Sequence, residues 1–247
     1  MSIETDRRSF ITSVTALALI ESLATHRIFA TSVNSMIDGW YKDLHQISRD
    51  VADHKTRDTE FQKALEGLYA RVNLDDLLKS IDFEKLSKQV DYPAIGARSL
   101  PVDFKVNGLP ANVVFGRQVF AMKKGRSVVP HGHNNMSTGF IVLKGNFRGR
   151  HYDRVEDHKD HYIIRPTIDR SFKPGEFSTI SDHKDNVHWF TAEDETGFIF
   201  NVHVNNTDPD NPKSPGRVYV DPMGEKIAGG LIKAPKVTYG KVNQLYG

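Results

Sequence analysis

Histidine is the residue type that most invites a chemical reading of this sequence. Eleven occur among 247 residues, and six fall between His131 and His183. The most informative stretch is Gly125-Arg-Ser-Val-Val-Pro-His131-Gly-His133. A His-x-His pair on a β-strand places both rings on one face, because side chains alternate with a period of two. Two imidazoles on one face can share a metal ion, and a third ligand must then come from a distant strand folded opposite. His188, in Asp185-Asn-Val-His188-Trp-Phe, stands where a new strand begins. Fifty-five positions separate it from His133, which leaves room for two or three intervening strands. The expected site is one divalent metal ion on His131, His133 and His188. A lone strand histidine is more often a hydrogen-bonded polar residue; the spaced set of three outweighs that reading.

The remaining histidines give weaker signals. His151, His158 and His161 sit around Asp153-Arg-Val-Glu-Asp-His-Lys-Asp, a charged stretch that reads as a solvated loop. His183 and His203 read either as supports behind the ligands or as ordinary polar residues. Thr138, His183, Asp185, Asn186, Asn201 and Tyr152 are candidates for supporting the ligands or touching a substrate, and Tyr162 and Arg148 are further candidates for the cavity wall. No catalytic residue beyond the ligands is identifiable.

The elements that must position these residues divide the chain. From about Ser35 to Val90 the apolar spacing is helical: Trp40, Leu44, Ile47 and Val51 form one stripe, Phe61, Leu65, Leu68 and Val72 another, and Leu74, Leu77, Leu78 and Ile81 a third. From Ala97 onward the runs are short and β-rich: Val113–Phe115, Gln118–Met122, Gly139–Leu143, His161–Ile164, Phe177–Ile180, His188–Phe190 and Phe198–Val204. Gly, Pro, Asp and Asn separate them. Such strands without intervening helices predict a sandwich or barrel. The expected organisation is a leader over 1–30, a helical segment packed on the barrel over 31–96, and the barrel over 97–247, with an irregular tail from Thr207.

Composition narrows the function. Thirty-three basic against 31 acidic residues leave a net charge of +2, and no basic stripe with interleaved aromatics argues for nucleic acid. The absence of cysteine excludes disulfides, thiolate ligands and a cysteine nucleophile. Near the N-terminus, Arg7-Arg8-Ser9-Phe10-Ile11 resembles a twin-arginine export signal. Ile11 to Ile20 is a weakly apolar run too short to span a bilayer, and Ser22-Leu-Ala24 or Ile28-Phe-Ala30 would precede cleavage. The expectation is a periplasmic or secreted protein without a transmembrane segment. Glu21, His26 and Arg27 favour the alternative, a retained helix on a cytoplasmic protein.

Gly125, His131, His133 and Gly145 match the spacing of the first cupin motif, and His188 matches the histidine of the second. The chain thus resembles the cupin superfamily over about residues 110–205. The implied fold is mainly β, a cupin (jelly-roll) β-barrel preceded by a helical N-terminal cap. The motif's glutamate position falls on Thr138, so the usual carboxylate ligand is missing, and the second motif's Pro-x-Gly lead-in is absent. Three neutral imidazoles leave the ion's charge intact and favour an anionic ligand such as a thiolate or enolate. Pro130-His-Gly-His133-Asn-Asn-Met136, Lys144-Gly-Asn-Phe-Arg-Gly-Arg-His-Tyr152-Asp153, His183-Lys-Asp-Asn186-Val-His188 and Gly216-Arg217-Val-Tyr219 are similar to the cysteamine and plant-cysteine-oxidase branch of the thiol dioxygenases. That resemblance implies Fe(2+) on the three histidines, and O2 and a small-molecule thiol as substrates, with a sulfinic acid as product. An acidic residue of that branch corresponds to Asn201 here, which weakens recognition of a positively charged amine. The cupin resemblance also implies a homodimer paired through barrel edges. The competing readings are a cupin enzyme of another class (an oxygenase of enolic substrates, an isomerase or a lyase) and a non-catalytic cupin that binds a metal or small ligand.

Overall fold

The computed structural model describes residues 36–103, 106, 108–110 and 112–247. The expected leader over 1–30 lies outside the described residues. Four helices come first: α1 over residues 36–52, then α2 (Asp58–Tyr69), α3 (Leu74–Ser80) and α4 (Phe83–Lys88). Asn73 caps α3 by accepting from the Asp76 N–H at 3.1 Å, which satisfies one of the free donors of the first turn. No helix among the described residues is long and apolar enough to cross a membrane.

Strands follow: β1 (Arg98–Pro101), β2 (Gly116–Lys123), β3 (Ser127–Asn134), β4 (Met136–Lys144), β5 (Phe147–Asp157), β6 (His161–Phe172), β7 (Phe177–Ile180), β8 (Val187–Ala192), β9 (Thr196–Asn205), β10 (Gly216–Tyr219), β11 (Glu225–Ile227) and β12 (Leu231–Pro235), with α5 (Tyr239–Tyr246) last. They form two antiparallel sheets, a five-stranded one in the order β1-β2-β9-β4-β7 and a seven-stranded one in the order β10-β3-β8-β5-β6-β12-β11. The fold is a mainly β jelly-roll with helices ahead of it. The two sheets stay separate and do not close into one hydrogen-bonded barrel.

Alternation decides what each face covers. On the five-stranded sheet, Val119, Ala121, Ile141, Leu143, Phe198, Phe200, Val202 and Val204 face outward into one core with Trp40, Leu44, Phe61, Leu65 and Leu68. The intervening Phe120, Met122, Phe140, Val142 and Ile199 face inward, where they meet Phe147, Phe172 and Phe190 of the other sheet. The helices are therefore held by the outer face of the sheet whose inner face looks toward the histidines. Gln62 adds a polar tie, donating to the Thr179 carbonyl at 2.9 Å.

The motif glycines have a backbone reason. Gly125 and Gly145 both have φ of 76°, a left-handed conformation that side chains disfavour, and each occupies a turn beside a strand that the site needs.

Several segments differ from the sequence reading. The stretch around His151 is strand and not loop, because β5 alternates inward Phe147 and His151 with outward charges. Val113–Phe115 is irregular. The region beyond Thr207 supplies β10, β12 and α5, so it is largely ordered structure. Four strands, β4 to β7, separate β3 from β8, because two of them form the long β5–β6 hairpin.

Candidate metal centre

His131 and His133 project inward from β3, and His188 from β8. His131 and His188 are directly opposed in the β3–β8 pairing. Ring centroids lie 4.2 Å apart for His131–His188, 4.9 Å for His133–His188 and 5.1 Å for His131–His133. One ring nitrogen from each lies within 4.8 Å of the others, and this is the one such cluster found among the described residues. All three side chains are buried.

The tautomers follow from the hydrogen bonds. The His131 Nδ1–H donates to the Val129 carbonyl at 2.8 Å, and the His188 Nδ1–H to the Asn186 carbonyl at 3.3 Å. Each ring then carries its lone pair on Nε2. Both Nε2 atoms, and Nδ1 of His133, are buried with no hydrogen-bond partner among the described residues. Buried acceptors without donors are costly, and an ion at their centre would satisfy them. Burial, then the charges of neighbouring histidines and of Arg217, hold the His131 and His133 pKa values well below the ordinary value; for His188 the causes are burial, then His151. The rings are therefore neutral at pH 7, the form that binds metal. The residues fit a metal ion held by three imidazoles.

Asn186 supports this geometry from behind. Its side chain accepts from the His133 N–H at 3.2 Å and donates to the His133 carbonyl at 3.0 Å. Arg154 donates to the same carbonyl at 2.8 Å. The His-x-His segment is thus clamped to the loop that leads into β8.

The expected carboxylate position carries a hydrogen-bond relay instead. Gln118 donates to Asn201 at 3.0 Å, Asn201 to the Thr138 hydroxyl at 2.6 Å, and Thr138 to the Val202 carbonyl at 2.7 Å. Thr138 and Asn201 line a cavity of about 190 Å³ together with His133, Met136, Phe140, His203 and Arg217. A smaller cavity of about 60 Å³ beside His131 is also lined by Arg217, Tyr219 and, from α5, Tyr239 and Asn243.

Other candidates lie elsewhere. Tyr152 packs with Tyr162, Val187 and Ile164 on the opposite face of the seven-stranded sheet from His188, so it does not reach the cavity. Tyr162 shares that face, and Arg148 is engaged with Asp169 at 2.6 Å. Asp185 accepts from Thr167 and lines a separate cavity near Arg170 and Ser178. His183 pairs with Asp58 of α2 at 2.9 Å.

Two residues at the site were not singled out from sequence. Arg217 lies in the segment read as tail; its one signal was the family resemblance of the run Gly216-Arg217-Val-Tyr219, which gave it no role. His151 is fully buried and is the cross-strand neighbour of His188, with ring centroids 6.3 Å apart. Burial, reinforced by Arg170, pushes its pKa down to about 3. The Ser178 hydroxyl lies 3.2 Å from its Nε2. The charges flanking His151 in sequence masked it, because they project to the other face.

No family model matches the chain, and no curated protein does. Solved structures with partial likeness include a cupin superfamily protein from Desulfitobacterium hafniense (11% identity, 49% of this chain and 87% of that one, TM-score 0.33). Another is a protein with a double-stranded β-helix domain from Klebsiella pneumoniae (11% identity, 49% and 82%, TM-score 0.35). A third is procruciferin, the 11S globulin of Brassica napus (11% identity, 43% of this chain, TM-score 0.33), of which this chain spans 22%. Scores of this size carry no weight for the site, which rests on its own geometry. A two-sheet jelly-roll enclosing a buried cluster of three histidines could hold one metal ion.

Proposed function

We propose that this chain is a metal-dependent cupin enzyme, a non-haem iron(II) dioxygenase that oxidises a small thiol to a sulfinic acid. The observation that carries the reading is the convergence of three buried, neutral imidazoles beside a cavity, with no carboxylate in the cluster. Iron(II) held by His131, His133 and His188 would supply the activation of O2 and of a thiolate toward one another. The reaction is RSH + O2 → RSO2H: sulfur gives up four electrons, both oxygen atoms become bonded to it, and no other reductant is needed. The chain's own contribution is orientation. Val129 and Asn186 fix the tautomers of His131 and His188, Asn186 and Arg154 fix the His133 backbone, and Met136 and Phe140 give the cavity an apolar wall. Neutral ligands leave the ion's charge uncompensated, which favours an anionic sulfur over a neutral one.

The test is elemental analysis of the purified protein beside His131→Ala, followed by O2 uptake and sulfinate detection with small thiols. About one iron per chain, lost in the variant, with one O2 consumed per thiol, supports the reading. A different metal at that stoichiometry without thiol oxidation overturns it in favour of an enolic-substrate oxygenase, an isomerase or a lyase. No metal, even after anaerobic reconstitution with iron(II), overturns it in favour of a non-catalytic binding role.

A further inference from the structure

We propose that the ligand of this centre is a short acid, with a metal-binding donor atom at one end and a carboxylate at the other, and that Arg217 holds the carboxylate. This rests on the reading of His131, His133 and His188 as a metal site, and not on the reaction assigned to it. Arg217 is the cross-strand partner of His133, and Tyr219 that of His131, so Arg217 sits on the face of the sheet that carries the ligands. It lines both cavities beside the cluster. Its guanidinium carbon lies 5.8 Å from the ring centroid of Phe120, an inward residue of the opposite sheet. Arg217 is also exposed to solvent.

Arg217 is the one permanently charged residue among the described residues that line the two cavities. Neither cavity is lined by an Asp or Glu among the described residues, and no ion pair to Arg217 is found among them. A guanidinium is always charged and offers a planar fork that suits a carboxylate. A divalent ion on neutral ligands beside it adds further positive charge, so a ligand with two anionic ends compensates both. An ammonium group would be repelled from the same place. Asn201 gives an amine no counter-charge, and its side chain is already engaged with Gln118 and Thr138.

Size narrows the class further. A cavity of about 150 Å³ lined by apolar groups holds benzene, so the cavity of about 190 Å³ here suits a ligand of roughly six to eight heavy atoms. A three-carbon mercapto or hydroxy acid fits, whereas a tripeptide thiol would protrude.

The test uses the full chain loaded with cobalt(II), whose absorption bands report ligand binding without turnover. The probes are 3-mercaptopropionate, 2-aminoethanethiol, 2-mercaptoethanol and lactate, titrated into wild type, Arg217→Gln and Arg217→Lys, with cobalt content measured in each. The expected result is that 3-mercaptopropionate binds about tenfold or more tightly than the other two thiols. Arg217→Gln should abolish that preference at unchanged cobalt content, and Arg217→Lys should restore part of it. Equal affinity for the acid and the amine, or an Arg217→Gln variant that binds the acid as wild type does, overturns the proposal. Arg217-dependent binding of the acids in a protein that consumes no O2 with any thiol upholds it while the dioxygenase reading fails. Failure of wild type to bind cobalt overturns both.

Discussion

Asn186 spends its side chain on the backbone around the site: it bonds both the N–H and the carbonyl of His133, and it also donates to the Ser181 carbonyl at 3.2 Å. Replacing it with Ala removes a partner from the His133 N–H and the Ser181 carbonyl, while Arg154 still donates to the His133 carbonyl. Asn186→Ala should cost about 1–3 kcal/mol, measured by chemical denaturation, and should weaken metal affinity about 10–100-fold in a competition assay with a chelating dye. His188→Ala differs in kind. It removes one imidazole of the cluster and leaves the Asn186 side-chain bonds in place, so the variant should lose most bound metal while keeping a native circular dichroism spectrum; full metal occupancy would refute the ligand assignment. The clustering of His131, His133 and His188 was legible in the sequence because the two-residue strand period fixes the facing of His-x-His and His188 stands where a later strand begins. Thr138 was legible as the absence of a carboxylate. Arg217 was not, since nothing in a Pro-, Gly- and Lys-rich segment says that four residues will pair with β3. Tyr152 misled because one residue along a strand reverses the face, and a β-bulge between His151 and Tyr152 makes that count harder still.

Among the elements, α2 links the helices to the sheet behind the site. Leu65 is fully buried in the core shared by the helices and the outer face of the five-stranded sheet. Leu65→Ala should cost about 2–5 kcal/mol, seen as a lowered melting temperature with metal content retained. The N-terminal end of α2 is tied to the loop before β8 by the Asp58–His183 pair. The hydrogen bond to Asp58, opposed in part by burial and helped by the charge of that carboxylate, raises the His183 pKa above its ordinary value. A raised histidine pKa stabilises the fold fully below the unfolded value of about 6.5, and the contribution fades as pH rises through the folded value. The melting-temperature difference between wild type and His183→Ala should therefore shrink from pH 6 to pH 9. It should be small throughout, because the His183 side chain is 59% exposed and solvent screens the pair. The helical stripes were legible because their apolar period is 3.6 and each buries against one surface. β5 was not, because its outward face carries the charges of a loop.

At the scale of the whole molecule, a sandwich or barrel could be anticipated from the number and spacing of short strands, and the jelly-roll form from the motif resemblance. The partition into two separate sheets could not, since it depends on which edges pair and not on any local pattern. The twin-arginine reading concerns residues outside the described structure, and it has its own test. Arg7→Lys with Arg8→Lys should hold the protein in the cytoplasm when cells are fractionated, and unchanged delivery across the membrane would refute the reading. A protein exported in folded form would carry an ion already loaded.

The strand order of the seven-stranded sheet also sets a sequence of events in time. β10 and β12 flank the block β3-β8-β5-β6, so the strands made last cover both of its edges. Such distant pairings close slowly. At about 5–20 residues per second, His133 leaves the ribosome roughly 4–17 s ahead of Arg217. In that interval β3 and β6 present bare edges open to mispairing. The nascent chain would hold all three histidines before it holds Arg217, so it would acquire an appetite for metal before it acquires a taste in ligands.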